Sequence, residues 1–256
     1  MNPTWEPALY RAFDDHRSRP FVDLVARIGP LDPALPRVVD AGCGPGHLTG
    51  LLAARFPGAA VEAFDSSPEM VRAARAAGVD AVPADVREWT PGPDTGAIVS
   101  NAVLQWVPGH TAVLQRWLAA LRPGAWLAVQ VPGNFGAPSH ALIRELAAQP
   151  QWRDRLALRA AGTVLDPAGY AELLSAAGAD ADVWETTYLH VLDGDDPVLR
   201  WIEGTALRPV RDTLDDAGYA RFVGELAPRL RAAYPPGPDG RTRFPFRRVF
   251  AVARRR

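Results

Sequence analysis

The sequence has one cysteine, Cys43, and no lysine among its 28 basic residues. A single cysteine excludes an internal disulfide framework and a zinc site built from several cysteines, and it favours a reducing, cytoplasmic location. No apolar run approaches the roughly 20 residues that span a bilayer, so we expect no contact through a membrane helix. Residues 1–7 lack a basic start and an apolar stretch, which predicts no secretory signal.

The chain also lacks a strong excess of either charge. With 28 basic and 29 acidic residues, its formal net charge is −1. A balanced surface is a poor candidate for broad nucleic-acid binding or for a polybasic membrane contact. The length of 256 residues and the apolar content of 48% fit one large domain covering residues 1–256.

Short apolar runs alternate with helical patterns between Arg37 and Pro132. Three helices are predicted between these runs: His47–Phe56, a helix that Ser66 or Ser67 opens and Gly78 ends, and one near Thr111–Leu121. The strands that this alternation predicts are Val38–Ala41, Ala60–Phe64, Val79–Pro83, Ala97–Asn101 and Trp126–Val131. Alternation of this kind is typical of an α/β fold with a parallel sheet covered on both faces.

The remainder of the chain is less regular. Asp166 and Pro167 open a predicted helix that ends at Gly178, and Val183–Leu192 reads as a strand. Pro197–Tyr234 is mostly helical in pattern, and Phe244–Arg254 contains a final strand, Val249–Val252. Residues 1–30 are predicted to form a helical lead-in, and residues 193–245 a helical insertion that acts as a cap.

A glycine-rich turn, Gly42-Cys43-Gly44-Pro45-Gly46, follows the first predicted strand. Glycines at such a turn let backbone N–H groups approach a ligand. Position 47 is His, so the spacing departs from the G-x-G-x-x-G pattern of dinucleotide sites, and a nicotinamide oxidoreductase is disfavoured. Polar residues end the next three strands: Asp65, where a carboxylate can meet a ribose, Asp85, and Asn101. An open α/β sheet binds its ligand at that edge, so these positions predict one site.

Four stretches resemble the class I S-adenosylmethionine-dependent methyltransferases: Val38–Gly46, Phe64–Met70, Ala84–Val86 and Leu121–Gly124. The resemblance implies a Rossmann-like seven-stranded sheet whose last strand is antiparallel, with residues 31–132 as the cofactor-binding core. It implies S-adenosylmethionine as the cofactor, with Asp65 holding the ribose and Asp85 and Val86 framing the adenine. The cofactor-binding residues that this resemblance predicts are Arg19, Gly42, Cys43, Gly44, Asp65, Ser66, Met70, Asp85, Val86 and Asn101.

Peripheral stretches narrow the resemblance to the branch of that family that methylates a carboxylate of trans-aconitate. These stretches are Trp5–Tyr10, Arg17–Pro20, Ser100–Trp106, Val131–Phe135, Thr186–His190, Leu207–Pro209 and Phe250–Arg255. A small polycarboxylate needs guanidinium groups, whose paired N–H groups match a carboxylate, together with polar or aromatic neighbours. The predicted substrate-binding residues are Tyr10, Arg17, Gln105, Trp106, Tyr188, His190, Arg208 and Arg247.

A carboxylate acceptor, with a pKa near 4, is already ionised at pH 7, so its methylation needs no general base. We therefore predict that residues act by positioning alone, with no catalytic acid or base and no metal. Two alternatives stay open at this point. One is methyl transfer to another small acceptor, for which His110, His140 or His190 could remove a proton. The other is a non-catalytic protein that binds S-adenosylmethionine.

Overall fold

The computed structural model describes residues 14–156, 158 and 164–256. Its seven-stranded sheet has the order β3-β2-β1-β4-β5-β7-β6. The strands are β1 (Arg37–Ala41), β2 (Ala60–Asp65), β3 (Ala81–Pro83), β4 (Thr95–Asn101), β5 (Trp126–Pro132), β6 (Ala179–Leu192) and β7 (Thr242–Arg255). The helices are α1 (Asp14–Ala26), α2 (Thr49–Arg55), α3 (Pro68–Ala76), α4 (His110–Ala120), α5 (Pro138–Ala147), α6 (Pro167–Ala176), α7 (Pro197–Glu203), α8 (Arg208–Arg211) and α9 (Asp216–Ala233).

The first five strands are parallel, and β7 runs antiparallel to β5, with Trp126 opposite Arg254 and Pro132 opposite Arg248. The predicted α/β class and the antiparallel last strand are therefore confirmed. Strand order reverses between β1 and β4, and the crevice outside the carboxyl ends of such a pair is where open α/β sheets bind ligands. The turn after β1 and the residues after β4 therefore meet at this point.

Contacts divide the described chain into two units. The first, here called the sheet unit, consists of residues 14–132, 164–186 and 248–256. The second, here called the helical unit, consists of residues 133–156, 158 and 187–247. Each unit draws on separate stretches of sequence, and the predicted insertion at 193–245 falls within the helical unit. A single domain over 1–256 stays a prediction.

The sheet unit is organised by its parallel strands. Strand β4 is buried along nearly its whole length, which suits a central strand that is covered on both faces. The predicted helix starts are confirmed where side chains cap them: Ser67 accepts a hydrogen bond from the Met70 N–H, and Asp166 accepts one from the Gly169 N–H. Strand β3 is shorter than predicted because Val79 donates to the Ala74 carbonyl and so closes α3.

The helical unit is organised by packed helices and aromatic rings. Helix α5 was not predicted, although Pro138 occupies its first turn, a favoured position, and Ile143 and Leu146 are buried. The predicted helical stretch Pro197–Tyr234 is confirmed as three helices, α7 to α9. No helix in the described ranges combines the length and the apolarity that crossing a membrane requires.

Candidate active site

The three glycines of the turn after β1 all adopt the left-handed backbone conformation, but for different reasons. A Cβ on Gly42 would lie 2.4 Å from Val103 Cγ2, and a Cβ on Gly46 would lie 3.0 Å from Ala74 Cβ. Close packing within the sheet unit therefore demands glycine at both positions. Gly44 has φ +57°, and a Cβ there would meet no described atom within 4 Å. Gly44 thus exposes bare backbone to open space, as a ligand-binding turn requires.

Asp65, the last residue of β2, is fastened to this turn. Its Oδ2 accepts from the Gly44 N–H at 2.9 Å, and its Oδ1 accepts from the Ser67 N–H at 2.8 Å. A carboxylate offers about four lone-pair sites, so acceptor capacity remains for two hydroxyl groups of a ligand. Burial raises the pKa of Asp65, and the backbone hydrogen bonds oppose that rise.

Negative charge collects behind the turn. Asp40 is buried, and burial raises its pKa to about 6, although the Thr49 hydroxyl donates to it at 2.6 Å. Burial, together with the charges of Asp40 and Asp65, also raises the pKa of the Cys43 thiol. Cys43 is therefore a protonated, buried thiol rather than a nucleophile. The carboxylates favour a positively charged ligand at this turn.

The chain leaves β4 through a strained turn. Ala102, directly after Asn101, has φ +58°, a conformation that costs a residue with a Cβ about 1–3 kcal/mol. The Gln105 Nε2 donates to the Ala102 carbonyl at 2.6 Å. Two buried acceptors, Asn101 Oδ1 and Gln105 Oε1, find no donor among the described residues. Since a buried acceptor without a donor is costly, both atoms point to a donor supplied by a ligand.

The Asp85 and Val86 pair follows β3. Arg87 donates to both carboxylate oxygens of Asp85, and this hydrogen bonding lowers the pKa of Asp85. Val86 is buried in the same apolar cluster as Phe64, and Trp89 packs on the Phe64 ring with centroids 5.0 Å apart. Val86 thus belongs to the same core as this aromatic pair, in which Phe64 is fully buried.

Three predicted substrate residues of the helical unit are buried: Tyr188, His190 and Arg208. His190 stacks on Trp201 with ring centroids 4.6 Å apart, and Tyr188 lies 6.4 Å from His190. Arg208 opens α8 and is only 6% exposed, which marks it as a buried guanidinium rather than a surface residue. Its charge opposes the burial that raises the pKa of Tyr219 to about 12.

Arg247 belongs to a second arrangement in this unit. Its backbone N–H donates to Asn134 Oδ1 at 2.8 Å, and its Nη1 donates to the Gly133 carbonyl at 3.2 Å. Arg144 from α5 donates to the Phe135 carbonyl at 2.6 Å. The guanidinium groups of Arg247 and Arg144 thus flank the Asn134 segment.

The remaining predicted residues are less engaged. Arg19 lies on α1 with a 73% exposed side chain and an Asp23 partner at 3.8 Å. Ser66 is exposed, Met70 is a buried residue of α3, and Trp106 is half-buried at the end of a short 3₁₀ turn, Leu104–Trp106. Tyr10 lies outside the described residues, and so does the side chain of Arg17.

A family model described as a methyltransferase domain matches residues 13–186, about two thirds of the chain. The chain belongs to the methyltransferase family. The resemblance read from the glycine turn and the strand-end acids is thereby confirmed, and so is the prediction of an enzyme.

Relatives extend this match to almost the whole chain. A protein of Rhodococcus jostii named trans-aconitate 2-methyltransferase is 57% identical over 252 residues, covering 97% of this chain and 98% of the relative. A Mycobacterium tuberculosis protein of the same name is 56% identical over 253 residues, covering 97% and 96%. The narrower resemblance drawn from the peripheral stretches is therefore confirmed as well.

Solved structures add evidence on the fold alone. Phosphoethanolamine N-methyltransferase 2 of Haemonchus contortus, in complex with S-adenosyl-L-methionine, is similar with a TM-score of 0.58 at 17% identity, covering 98% of this chain and 57% of that one. A geranyl diphosphate methyltransferase in complex with SAM gives 0.51 at 19% identity, covering 97% and 89%. Both support the class I architecture.

The sheet unit fits S-adenosylmethionine by its own chemistry. The open space at Gly44 admits a ligand, and Asp65 keeps acceptor capacity for a hydroxyl pair. The buried acceptors at Asn101 and Gln105 fit an ammonium or hydroxyl donor. Gln105 has its amide N–H on a carbonyl, so it presents an acceptor, which suits such a donor better than an anionic carboxylate.

Several contributors to this region were not predicted. Val103 makes glycine obligatory at position 42, and Trp89 pairs with Phe64. Asn134 lies within the resembling stretch Val131–Phe135, but the sequence does not predict a role for it. Ala102 has a left-handed backbone although it is not a glycine. Neither composition nor periodicity predicts such a residue, so no sequence signal marks the turn after β4.

Proposed function

We propose that this protein transfers a methyl group from S-adenosylmethionine to one carboxylate of trans-aconitate, forming a monomethyl ester and S-adenosylhomocysteine. The observation that carries this conclusion is the 56–57% identity, over almost the full chain, to relatives named trans-aconitate 2-methyltransferase. A small-molecule polycarboxylate is accordingly the partner that we assign. The reducing location inferred from the single cysteine makes the cytoplasm its compartment in this proposal.

The residues proposed to hold the cofactor lie in the sheet unit. Asp65 would accept from the ribose hydroxyls, since its remaining lone pairs are not used by Gly44 and Ser67. Val86 and Asp85 would frame the adenine, and Asn101 would accept from the ammonium of the amino-acid part. The carboxylates of Asp40 and Asp65 favour the positive charge of the sulfonium.

When bound, S-adenosylmethionine supplies a methyl group on a cationic sulfur, which a carboxylate oxygen can displace in line. The transfer would join that oxygen to the methyl carbon, and the electron pair of the broken carbon–sulfur bond would return to sulfur. The protein must hold the two reacting atoms about 3–3.5 Å apart and exclude water. No proton moves, so the residues act by binding and orientation.

The acceptor requires cationic partners for its other carboxylates. Arg208 and Arg247 are our candidates, because a guanidinium donates two parallel hydrogen bonds to a carboxylate. Tyr188, His190 and Trp106, which the sequence predicts as substrate residues, are also proposed to bind the acceptor.

Incubation of the purified protein with labelled S-adenosylmethionine and trans-aconitate tests this function. We expect labelled ester above the level of a heat-killed control. The absence of ester would overturn the substrate assignment. With S-adenosylmethionine saturating, the rate should also stay flat between pH 6 and pH 8, because an acceptor carboxylate with a pKa near 4 is ionised throughout.

That pH profile also separates a carboxylate acceptor from one that needs a basic histidine. Burial lowers the pKa of His140 to about 4, and His110 Nε2 lies 2.8 Å from the Tyr170 hydroxyl. A rate that falls steeply below pH 7 would favour an acceptor that must lose a proton.

Arg208→Gln tests the acceptor side of the proposal. We expect the KM for trans-aconitate to rise about tenfold or more, since a charge-assisted pair is lost, while the cofactor Kd stays within twofold. Arg211→Gln is the matched control, because Arg211 lies on the same helix but pairs with Asp216 at 2.8 Å. Equal small changes in both variants would remove Arg208 from the acceptor site.

Asp65→Ala tests the cofactor side. Calorimetry should show the Kd for S-adenosylmethionine rising at least tenfold, because charge-assisted hydrogen bonds to the ribose disappear. Asp94→Ala is the control, since Asp94 is a carboxylate of the same unit that pairs with Arg37. An unchanged affinity in Asp65→Ala would refute the ribose assignment.

A further inference from the structure

Asn134 is buried, with 3% of its surface exposed, and both its backbone carbonyl and its side-chain oxygen accept hydrogen bonds. Its backbone carbonyl accepts from the Ala137 N–H at 2.8 Å, and its side-chain Oδ1 accepts from the Arg247 N–H at 2.8 Å. Since the oxygen faces an N–H donor, the other end of the amide must be the NH₂ group. The orientation of the side chain is therefore fixed by its hydrogen bonding.

The Nδ2 of Asn134 has no acceptor among the described residues. An amide nitrogen carries two N–H donors, and burying them without an acceptor costs about 1–3 kcal/mol. The hydrogen bond from the Arg247 N–H needs only an oxygen, which an aspartate would also supply, so it does not account for the NH₂ group. The unused donors therefore point to a ligand that accepts hydrogen bonds.

Two guanidinium groups flank the backbone segment that carries this amide. Arg247 Nη1 donates to the carbonyl of Gly133, and Arg144 Nη2 donates to the carbonyl of Phe135, the residues on either side of Asn134. Arg144 is half-buried and forms no ion pair with a carboxylate of the described residues. Its charge also contributes to the lowered pKa of His140. Amide donors near the guanidinium of Arg144, which has no carboxylate partner in the described ranges, favour an anion.

We propose that Asn134 is a specificity-determining residue, which donates through Nδ2 to a carboxylate of the acceptor, while Arg144 supplies positive charge beside it. This inference rests on the proposed function, because that function names the anionic ligand. It adds two residues, Asn134 and Arg144, to the acceptor residues predicted from the sequence. We assign the contact from Asn134 to a carboxylate that is not methylated, because hydrogen bonds to a carboxylate lower the nucleophilicity of its oxygens.

Asn134→Asp is the decisive variant. It retains an oxygen for the Arg247 N–H but replaces the two donors with an anionic oxygen that repels a carboxylate. We expect the KM for trans-aconitate to rise at least tenfold, and the cofactor Kd to stay within twofold. A KM within twofold of the wild-type value would overturn the role of Asn134.

Arg144→Gln tests the charge without disturbing the buried amide. We expect the KM to rise about fivefold, whereas Arg153→Gln, which removes a 63% exposed guanidinium from the same unit, should leave it unchanged. Equal values in Arg144→Gln and Arg153→Gln would overturn the role of Arg144.

A binding measurement covers the case in which Asn134→Asp does not fold. Propane-1,2,3-tricarboxylate, which lacks the double bond of trans-aconitate, should raise the thermal midpoint of the wild type and raise that of Arg144→Gln less. Equal shifts would count against the subsite. The wild type separates the two claims: no ester from trans-aconitate overturns the function and this inference with it, whereas ester formation with an unchanged KM in the variants overturns this inference alone.

Discussion

The two units of the protein differ in the charges that lie beside their predicted ligand residues, although the sheet unit also buries Arg248. The sheet unit places the carboxylates of Asp40 and Asp65 behind its glycine turn. The helical unit buries the guanidinium of Arg208 and places Arg144 and Arg247 around a buried amide. Under the proposed function the sulfonium is a cation and the polycarboxylate is an anion, so the carboxylates suit the first and the guanidinium groups suit the second. The difference leads us to expect that cofactor binding depends on the carboxylates and acceptor binding on the guanidinium groups.

The cores differ as well, and this difference carries the largest expected effect. Trp201 is 1% exposed and stacks on His190 in the helical unit. Trp201→Ala should lower the free energy of unfolding by about 3–5 kcal/mol, because a large cavity replaces the indole. Urea unfolding measures this change, and Trp201→Phe is the milder control. A loss below about 1 kcal/mol would show that this aromatic cluster is not the core of the unit.

The sheet unit should respond most to its glycine turn. Gly42→Ala combines a left-handed backbone with a methyl group 2.4 Å from Val103 Cγ2, so we expect a loss of about 2–4 kcal/mol in unfolding free energy. Gly44→Ala has only the backbone strain, about 1–2 kcal/mol.

Cofactor affinity should separate the same two variants in another way. The methyl group of Gly44→Ala would enter the open space that the ligand needs, so calorimetry should show a Kd at least tenfold higher. If Gly44→Ala folds and binds S-adenosylmethionine like the wild type, the turn is not the cofactor site.

The buried carboxylate of Asp40 predicts a pH-dependent effect in the sheet unit. Because its folded pKa is raised to about 6, the folded state binds the extra proton, and stability falls as pH rises from about 4 through 6. Between pH 5 and pH 7.5 this fall amounts to about 1.5 kcal/mol. Asp40→Asn should abolish it in urea titrations at the two pH values. A parallel pH dependence in both proteins would contradict the buried charge.

The smallest effect is expected at Arg87. Its hydrogen bonds lower the pKa of Asp85, but an aspartate without that partner is also ionised at neutral pH. Arg87→Gln should therefore change the Kd for S-adenosylmethionine less than threefold at pH 7.5, like the exposed control Arg72→Gln. A tenfold change would mean that Arg87 contacts the cofactor itself.

The sheet unit was more predictable from sequence than the helical unit. Its strands are short apolar runs with polar residues at their carboxyl ends, and parallel strands bring those ends to one edge. Asp65 and Asn101 therefore lie where their positions in the sequence place them. The different demands on Gly42 and Gly44 were not predictable, because they depend on Val103, a neighbour distant in sequence.

The helical unit depends on contacts between distant stretches. Helix α5 lacks a side-chain cap and was missed, although it packs against α9. The side chain of Asn134 is oriented by a hydrogen bond from the N–H of Arg247, which lies 113 residues away in the chain. Nothing in the sequence distinguishes a buried arginine from the other basic residues, of which there are 28. The burial of Arg208 and the position of Arg144 are therefore known only from the structure.

The thiol of Cys43 allows local unfolding of the glycine turn to be measured by chemical labelling. It is the sole cysteine of the sequence, it is buried within the turn, and its raised pKa keeps it in the unreactive protonated form. Alkylation must wait until the turn unfolds locally and releases the side chain to water. The rate at which iodoacetamide alkylates the wild-type thiol thus reports how often this turn unfolds, and a ligand bound at Gly44 would lower that rate.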